Sequence, residues 1–317
     1  MYREDSLYSA KLNSLLSEGK KSEFFAELSA KVWAMCDRLG FEDRDLAIAT
    51  LEKFWLPLAV DLATARQKMD RTLIQGILGG QGTGKSTLCI LLKLILNYLG
   101  LTVANLSIDD LYLTREHRQE LKRQDPRLIW RGPPGTHDLT LGIEAIDRCL
   151  QRDGDRHISL PRFDKSAYNG SGDRANPETV IKPDILLFEG WFVGVQPIEE
   201  SCFKNPPHPI ITAKDIQFAK DNNRRLQAYL PLWNKLDRLI VLYPEDYRTS
   251  KQWRKEAEQK MMASDKTGMS EEEIDRFVEY FWQSLHPELF IKPLLKTADI
   301  VVEINSDRSF GRIYRNE

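Results

Sequence analysis

Apolar residues recur every three or four positions through the first 70 residues of the chain. Two runs show this spacing: Phe24, Leu28, Val32 and Met35, followed by Leu51, Phe54, Leu58 and Leu62. Side chains spaced in this way share one face of a helix, so both runs predict helices. Pro57 lies inside the second run and is expected to kink or split its helix. Because no catalytic constellation occurs here, helices packed on a core are favoured over a partner-binding or regulatory module.

From residue 71 onward, short apolar runs alternate with helical patterns. The apolar runs are typical of buried strands and occupy residues 73–78, 101–107, 158–161, 184–190, 239–244 and 299–304. Strands that alternate with helices form parallel βαβ units with right-handed crossovers. The pattern therefore predicts an α/β fold with a doubly wound, mostly parallel sheet flanked by helices. We expect residues 299–304 to form its final strand.

Composition narrows the class of protein. The 317 residues are 42% hydrophobic and 29% charged, as in ordinary globular domains, and the net charge of -2 gives no overall attraction for nucleic acid. The longest apolar run, residues 88–96, contains Lys93 and is too short to cross a bilayer, and the N-terminus has no apolar signal region. We expect a cytoplasmic protein without nucleic-acid or membrane partners. Its four well-separated cysteines are expected to be reduced thiols: Cys36, Cys89, Cys149 and Cys202.

A phosphate-binding motif follows the first predicted strand. Residues 79–86 read Gly-Gly-Gln-Gly-Thr-Gly-Lys-Ser and match G-x-x-x-x-G-K-[ST] at every fixed position, before a helix that Gly100 closes. Glycines let the backbone N–H groups turn towards phosphate oxygens, and the helix N-terminus adds partial positive charge. Lys85 is expected to reach the β- and γ-phosphates and Ser86 to ligate Mg²⁺. The predicted nucleotide-binding residues are Gly79, Gly80, Gln81, Gly82, Thr83, Gly84, Lys85, Ser86 and Thr87.

Carboxylates follow two of the predicted strands. Asp109 and Asp110 come after residues 101–107, and Glu189 lies at the end of residues 184–190. Ligands of parallel sheets bind beyond the carboxyl ends of the strands, so all three acids are expected near the phosphates. Phosphoryl transfer to an alcohol needs a carboxylate beside the acceptor hydroxyl, which Asp109 provides, although a helix-capping role is open for both aspartates. Glu189 is expected to meet Mg²⁺, directly or through water.

Two loops rich in charge and glycine lie at the same predicted edge, residues 131–138 and 162–174. The charged residues of interest in them are Arg131, His137, Asp138, Arg162, Lys165, Asp173 and Arg174. This density of cations suits a small, anionic, hydroxylated substrate. Asp138 is also a plausible helix N-cap, and a purely structural role for His137 is equally compatible with its position.

The motifs together resemble a known group of kinases. Residues 107–112, Ser-Ile-Asp-Asp-Leu-Tyr, and residues 188–190, Phe-Glu-Gly, resemble the phosphoribulokinase, uridine kinase and pantothenate kinase superfamily. Within it, three further stretches are similar to the D-glycerate 3-kinase family of plants, cyanobacteria and fungi: residues 134–138, 161–166 and 172–174. Residues 253–258 and 268–270 extend the match into a lid, so that the resemblance covers roughly residues 72–304.

The resemblance implies a P-loop kinase that uses ATP and Mg²⁺ to phosphorylate the primary hydroxyl of D-glycerate, giving 3-phosphoglycerate, with photorespiration as the setting. It implies a kinase domain over residues 71–317 with a helical lid around 245–270. Residues 1–70 lie outside the matched motifs, and their apolar spacing alone predicts a helical N-terminal extension. Asp109 would be the general base, Ser86 and Glu189 would hold Mg²⁺, and Lys85 would grip the phosphates. Lys165 and Arg174 would neutralise the phosphoryl group or the glycerate carboxylate.

Arg254 is the implied lid arginine, and Arg248 competes for that role. The residues implied for acceptor binding are Asp110, Tyr112, Thr136, His137, Asp138, Arg162, Lys165, Asp173 and Arg174. Two other functions stay open at this point. One is a P-loop kinase for a nucleoside, pantothenate or a sugar phosphate, and the other is an ATP-binding regulatory protein without catalysis. The sequence leaves the oligomeric state undetermined.

Overall fold

The computed structural model describes residues 18–151, 154–262 and 269–316. Its helices are α1 (Glu18–Arg38), α2 (Arg44–Thr50), α3 (Leu56–Gln67), α4 (Lys85–Tyr98), α5 (Arg115–Gln124), α6 (Leu139–Leu150), α7 (Ala213–Arg225), α8 (Leu230–Trp233), α9 (Thr249–Met262) and α10 (Glu271–Ser284). Its strands are β1 (Leu73–Gly79), β2 (Val103–Ser107), β3 (His157–Asp164), β4 (Asp173–Ile181), β5 (Ile185–Gly190), β6 (Arg238–Pro244), β7 (Ile300–Ile304) and β8 (Phe310–Arg315).

Six strands form the central sheet in the order β2-β5-β1-β6-β7-β8. Every neighbouring pair is parallel except β7 and β8, which are antiparallel. The expectation that residues 299–304 form the final strand is therefore wrong. The chain turns back after β7, where Arg308 has a φ of +67° and the Asn305 N–H donates to the Ser309 carbonyl. Because charged residues interrupt the half-buried β8, it lacks the continuous apolar run of the buried strands.

Helices cover both faces of the sheet, which confirms the doubly wound α/β fold. On one face, α1 to α4 pack on side chains such as Leu73 and Ile77 of β1. On the other face, the alternate β1 residues Ile74 and Leu78 pack against a cluster that includes α6 and α8. A strand buried on both faces is a nearly continuous apolar run, and every residue of β1 is buried, with Gln75 as its one polar side chain.

The N-terminal helices bury the side chains that the helical spacing selects. Leu28 of α1 and both Leu58 and Leu62 of α3 are fully buried in the same cluster as β1. Between α2 and α3, the backbone is π-helical over Leu51–Trp55, and Pro57 follows in the first turn of α3. Pro57 therefore separates two hydrogen-bonding patterns within one helical stretch. The division of the chain at residue 70 stays a prediction, and residues 1–17 lie outside the described ones.

Strands β3 and β4 form a separate two-stranded antiparallel sheet. The sequence pattern misses β4, because nearly all of its residues are exposed and an apolar face is lacking. The tip of this hairpin, residues 165–172, is held by left-handed backbone at Gly170 and Gly172, with φ of +83° and +71°. At Gly172 a Cβ atom would lie 2.4 Å from the Phe163 ring, so glycine is required there. This tip carries Lys165 to the edge of the central sheet.

None of the helices in the described ranges combines the length and apolarity needed to cross a membrane. The four cysteines are free thiols, as expected, and three of them are buried.

Candidate active site

The phosphate loop joins the carboxyl end of β1 to the N-terminus of α4. Gly82 and Gly84 have φ of +79° and +82°, and Gly84 is the residue that precedes α4. The Thr83 hydroxyl donates to the Gly80 carbonyl across 2.9 Å and closes the loop on itself. Lys85 Nζ lies 3.4 Å from the same carbonyl. These contacts close the loop on itself and hold the lysine ammonium over its mouth.

Ser86 and Glu189 meet beside this loop. The Ser86 hydroxyl lies 3.2 Å from Glu189 Oε1. Glu189 Oε2 is buried and has no hydrogen-bond partner in the part of the chain that the structure describes. A buried carboxylate oxygen without a partner is costly unless a cation or a donor reaches it, so this pair fits Mg²⁺. No set of three or more His, Cys, Asp or Glu side chains in the described ranges forms a metal site by itself, and Mg²⁺ beside nucleotides takes much of its coordination from phosphate and water.

Asp109 lies in a short 3-10 turn directly after β2. Its Oδ1 accepts a hydrogen bond from the Tyr112 hydroxyl at 2.7 Å, and its Oδ2 accepts one from Lys165 Nζ at 2.5 Å. Burial acts to raise the pKa of Asp109, but the charge and hydrogen bond of Lys165, with the Tyr112 hydrogen bond, outweigh it and lower the pKa. Burial also raises the pKa of Tyr112 well above its usual value, which keeps that hydroxyl a donor. Asp109 is therefore an ionised carboxylate at neutral pH.

Asp110 and Arg162 are occupied by contacts within the protein. Asp110 and Ser107 form a reciprocal capping box around the turn, in which Asp110 Oδ2 accepts from the Ser107 N–H at 3.0 Å. Arg162 Nη1 lies 3.1 Å from the same oxygen, and its other groups donate to Glu178 and to the Asn105 carbonyl. Burial raises the pKa of Asp110. These two residues link the hairpin to β2.

His137 is buried behind Tyr112. The two rings are stacked with centroids 4.7 Å apart, and His137 Nδ1 lies 2.7 Å from the Tyr229 hydroxyl. That hydroxyl also accepts from the Gly135 N–H at 2.9 Å, so its single proton is free to go to Nδ1. Nε2 then carries the imidazole proton, and it has no partner among the described residues. Burial lowers the pKa of His137 to about 3, so the ring is neutral at physiological pH.

The remaining loop residues tie the loops to helices. Thr136 is buried, and its hydroxyl donates to the Pro133 carbonyl. Asp138 caps α6, as expected, by accepting from the Leu141 N–H, and it also pairs with Arg174 Nη2 at 2.5 Å. Asp173 accepts from the backbone N–H of Arg115 at 3.0 Å.

The lid helix α9 touches the phosphate loop directly. A Cβ atom on Gly82 would lie 2.6 Å from Trp253 Cβ. Next to it, Arg254 pairs with the buried Glu258 at 2.7 Å and lies over the Phe277 ring. Arg248 instead pairs with Asp246 and is 72% exposed. Residues 263–268 of the expected lid lie outside the described residues.

The structure adds residues that the sequence pattern does not single out. Tyr229 resembles an ordinary core aromatic in sequence, and only the fold brings its hydroxyl to His137. Arg118 lies on the polar helix α5, whose composition is typical of a solvated surface, yet its guanidinium reaches the hairpin tip. The signal is a buried hydroxyl at Tyr229 and a partly buried guanidinium at Arg118, and both become visible only in the structure.

Comparison with known proteins identifies relatives of this chain. D-glycerate 3-kinase, chloroplastic, of Arabidopsis thaliana is 33% identical over 258 residues, which are 77% of this chain and 54% of the plant protein. The chain thus spans about half the length of that relative. The uncharacterized kinase mug58 of Schizosaccharomyces pombe is 33% identical over 228 residues, which are 67% of this chain and 79% of the yeast protein.

The fold of this chain is similar to that of a solved structure. D-glycerate 3-kinase from Cryptococcus neoformans superposes with a TM-score of 0.72 at 25% sequence identity, covering 82% of this chain and 98% of that one. No protein-family model matches the chain. The sequence identity to the two relatives and the shared fold indicate a P-loop kinase, and the phosphate loop and the acids at the strand ends are consistent with this. The chain belongs to the D-glycerate 3-kinase family of P-loop kinases.

Proposed function

We propose that this protein transfers the γ-phosphoryl group of ATP to the primary hydroxyl of D-glycerate, giving ADP and 3-phosphoglycerate. The observation that carries the proposal is Asp109. Its ionised carboxylate lies at the end of β2, held by Tyr112 and Lys165, at the same sheet edge as the phosphate loop. The names of the plant and Cryptococcus relatives supply the acceptor.

Asp109 acts as the general base. The acceptor hydroxyl gives its proton to the carboxylate while its oxygen forms a bond to the γ-phosphorus, and the bond from that phosphorus to the β,γ-bridging oxygen breaks. Lys165 and Tyr112 orient the carboxylate, because each of them holds one of its oxygens. A lowered pKa makes Asp109 a weak base, which suits a reaction in which the proton moves late and positioning supplies most of the catalysis.

Ser86 and Glu189 are the residues that would hold Mg²⁺. The buried, unpartnered Oε2 of Glu189 and the adjacent Ser86 hydroxyl support this assignment. When bound, the ion neutralises charge on the phosphate oxygens.

Cationic groups on three elements stabilise the phosphoryl group. Lys85 lies over the loop mouth, and Lys165 reaches the acceptor side from the hairpin tip. Both Arg254 and Arg248 pair with an acid, Glu258 and Asp246. Arg254 is the better candidate for the lid arginine, because it lies on the helix that contacts Gly82, whereas Arg248 precedes that helix at the surface. Each supplies charge where negative charge accumulates in the transition state.

The other expected acceptor residues divide by their contacts. Tyr112 and Lys165 are proposed to face the acceptor, since both bind Asp109. His137 is proposed to support the Tyr112 ring from behind. The remaining ones are proposed to support the loops through bonds within the protein: Asp110, Thr136, Asp138, Arg162, Asp173 and Arg174. A small-molecule acceptor is the only partner that this proposal requires. The cytoplasmic and photorespiratory settings stay predictions.

The test is ADP release with Mg²⁺-ATP against D-glycerate, L-glycerate, uridine, pantothenate and ribulose 5-phosphate, with mass-spectrometric identification of the product. Strong stimulation by D-glycerate with 3-phosphoglycerate as product is the expected outcome. Stimulation by another acceptor would retain the kinase mechanism and reject this substrate. ADP release that no acceptor stimulates would favour a regulatory ATP-binding protein instead.

A further inference from the structure

Arg115, Arg118 and Arg131 form a cluster near Asp109 and the hairpin tip. Among the residues that the structure describes, none of the three forms an ion pair with a carboxylate. Arg118 donates only to carbonyl oxygens, those of Leu113, Ser171 and Gly172, at 2.9, 2.9 and 2.5 Å. Arg131 likewise donates to the carbonyls of Gly170 and Ser171, at 2.8 and 3.0 Å. The Arg115 guanidinium lies 4.8 Å from the Tyr168 ring centroid, and its buried Nε has no hydrogen-bond partner there.

The lack of an ion pair with an acid, among the described residues, distinguishes this cluster from the other arginines of the site. Arg162 and Arg174 each pair with an aspartate, at 3.1 and 2.5 Å. Asp173 is near enough for its charge to act on Arg118, but its oxygen accepts from the backbone N–H groups of Arg115 and Arg174. Burial and the charge of Arg131 lower the pKa of Arg118. Half-buried cations that repel one another are unfavourable until an anion joins them.

The cluster lies directly beside the proposed base. The Arg131 guanidinium is 5.8 Å from the Tyr112 ring centroid and 5.6 Å from that of Phe163, and the Arg118 guanidinium is 5.3 Å from Phe163. The hydroxyl of the same Tyr112 holds Asp109. The guanidinium groups therefore lie against the rings of Tyr112 and Phe163, and Tyr112 also contacts the carboxylate that would take the proton. A small acceptor with an acid at one end and a primary hydroxyl at the other matches these two ends.

We infer that Arg118 and Arg131 form the subsite for the carboxylate of a hydroxy-acid acceptor. Guanidinium groups bind carboxylates through two parallel hydrogen bonds, which fixes orientation as well as charge. The subsite makes the enzyme select acids over neutral polyols that offer the same primary hydroxyl. This inference rests on the proposed function, and it leaves Lys165 to act on Asp109 and the phosphoryl group.

A structural explanation competes with this one. Both arginines hold the hairpin tip, residues 165–172, which carries Lys165, so their loss could disturb catalysis without any contact to the acceptor. The two explanations predict different results with a neutral acceptor. A damaged hairpin slows every acceptor alike, whereas a lost carboxylate subsite slows only the acid.

The first experiment compares kcat/KM for D-glycerate and glycerol in the wild type, Arg118→Met and Arg131→Met. Each substitution is expected to lower kcat/KM for D-glycerate about 30- to 100-fold, mainly through KM, and to change the value for glycerol less than about threefold. Arg131→Lys keeps the charge but lacks the paired N–H donors of a guanidinium, so its kcat/KM for D-glycerate should lie between those of the wild type and Arg131→Met. Arg123→Met is the matched control, because Arg123 lies on the same helix, is 72% exposed and pairs with Glu120. An equal loss for both acceptors would overturn the inference.

The second experiment measures binding of D-lactate by calorimetry in the presence of a non-hydrolysable ATP analogue. Lactate keeps the carboxylate and lacks the primary hydroxyl, so the result does not depend on phosphoryl transfer. We expect binding to the wild type and to Arg123→Met, with affinity at least tenfold lower in Arg118→Met and Arg131→Met at an unchanged melting temperature. Absent binding in the wild type, or undiminished binding in both variants, would reject the subsite even if D-glycerate is phosphorylated. Intact lactate binding with no glycerate phosphorylation would reject the proposed reaction alone.

Discussion

Lys165 Nζ donates to Asp109 Oδ2 across 2.5 Å and joins the tip of the β3–β4 hairpin to the end of β2. The Lys165 side chain is 60% exposed, whereas that of Asp109 is 26% exposed. The ammonium group therefore covers the proposed base from the solvent side. An acceptor hydroxyl must share Asp109 with this cation, which ties substrate binding to the hairpin.

Replacing Asp109 tests the base. Asp109→Asn keeps the shape and the Tyr112 contact but removes the proton acceptor, so kcat should fall by about 10²–10⁴-fold. ATP binding should be nearly unchanged, as measured by calorimetry. Lys85→Ala is the complementary variant and should weaken phosphoryl transfer because charge is removed from the β- and γ-phosphates. Turnover close to normal in Asp109→Asn would remove the base assignment.

Lys165→Met should move the acidic limb of the pH profile. Lys165 lowers the pKa of Asp109, so removing it raises that pKa, and kcat/KM should begin to fall at a higher pH as the solution is acidified. The free energy of unfolding depends on pH in the same direction. Because the pKa of Asp109 is lowered in the folded state, its ionised carboxylate stabilises the fold above its unfolded pKa. This stabilisation is lost as the pH falls through the folded pKa.

The measurement is kcat/KM from pH 4 to pH 8, with Lys182→Met as the control. Lys182 is a half-buried lysine just beyond the other end of the hairpin, away from Asp109. Its loss should leave the profile unchanged. An acidic limb at the same pH in Lys165→Met, or at a lower pH, contradicts the proposed coupling.

Glu189→Gln should weaken the response to Mg²⁺. The substitution keeps the size of the side chain and removes the charge from a buried oxygen that no described residue satisfies. The Mg²⁺ concentration for half-maximal activity should rise about tenfold or more, and a chelator should abolish activity in the wild type. Glu303→Gln is the control, because Glu303 pairs with Arg312 on the last two strands. An unchanged Mg²⁺ dependence would remove Glu189 from the metal site.

Local sequence patterns are sufficient to predict the nucleotide-binding part of this site. The phosphate motif, the buried strands on either side and the acids at their ends need little tertiary information, because strand direction alone brings them together. The capping role of Asp138 follows from its residue type and its position before a helix, and it is confirmed.

The rest depends on contacts between distant parts of the chain. Strand β4 is exposed and polar, so its pairing with β3 leaves no apolar pattern in the sequence. Tyr229 lies 92 residues from His137, and Arg118 lies 54 residues from the Gly172 carbonyl that it reaches. Hydrogen bonds of this kind follow from the folded path and not from residue spacing.

Tyr229→Phe should destabilise the fold through two buried groups. The hydroxyl is the acceptor for the Gly135 N–H and the partner of His137 Nδ1, so its loss leaves both unsatisfied. We expect a cost of about 1–3 kcal/mol in urea unfolding. Nitrogen NMR of labelled histidine should show the Nε2-protonated form of His137 in the wild type and a changed tautomer ratio in the variant.

Tyr280→Phe is the matched control for that loss. It removes a phenolic hydroxyl from another buried tyrosine, whose hydrogen bond to the Trp130 carbonyl is long at 3.4 Å. We expect a smaller cost than for Tyr229→Phe and no change in the His137 resonances. Equal costs for the two variants would mean that the Tyr229 hydroxyl has no special role.

Gly82→Ala should couple a backbone effect to the lid. Gly82 has a φ of +79°, and an added Cβ would lie 2.6 Å from Trp253 Cβ, so the variant strains the loop and pushes α9 away. Gly100→Ala separates the two effects, because Gly100 has a φ of +86° and nothing within 4 Å of the added atom. Left-handed backbone alone costs about 1–2 kcal/mol, which is the loss of unfolding free energy expected for Gly100→Ala with ATP affinity unchanged. Gly82→Ala should cost more and should also weaken ATP binding. The same stability loss in both variants, with normal ATP affinity in Gly82→Ala, would mean that α9 yields freely and that its contact with the phosphate loop does not position the nucleotide.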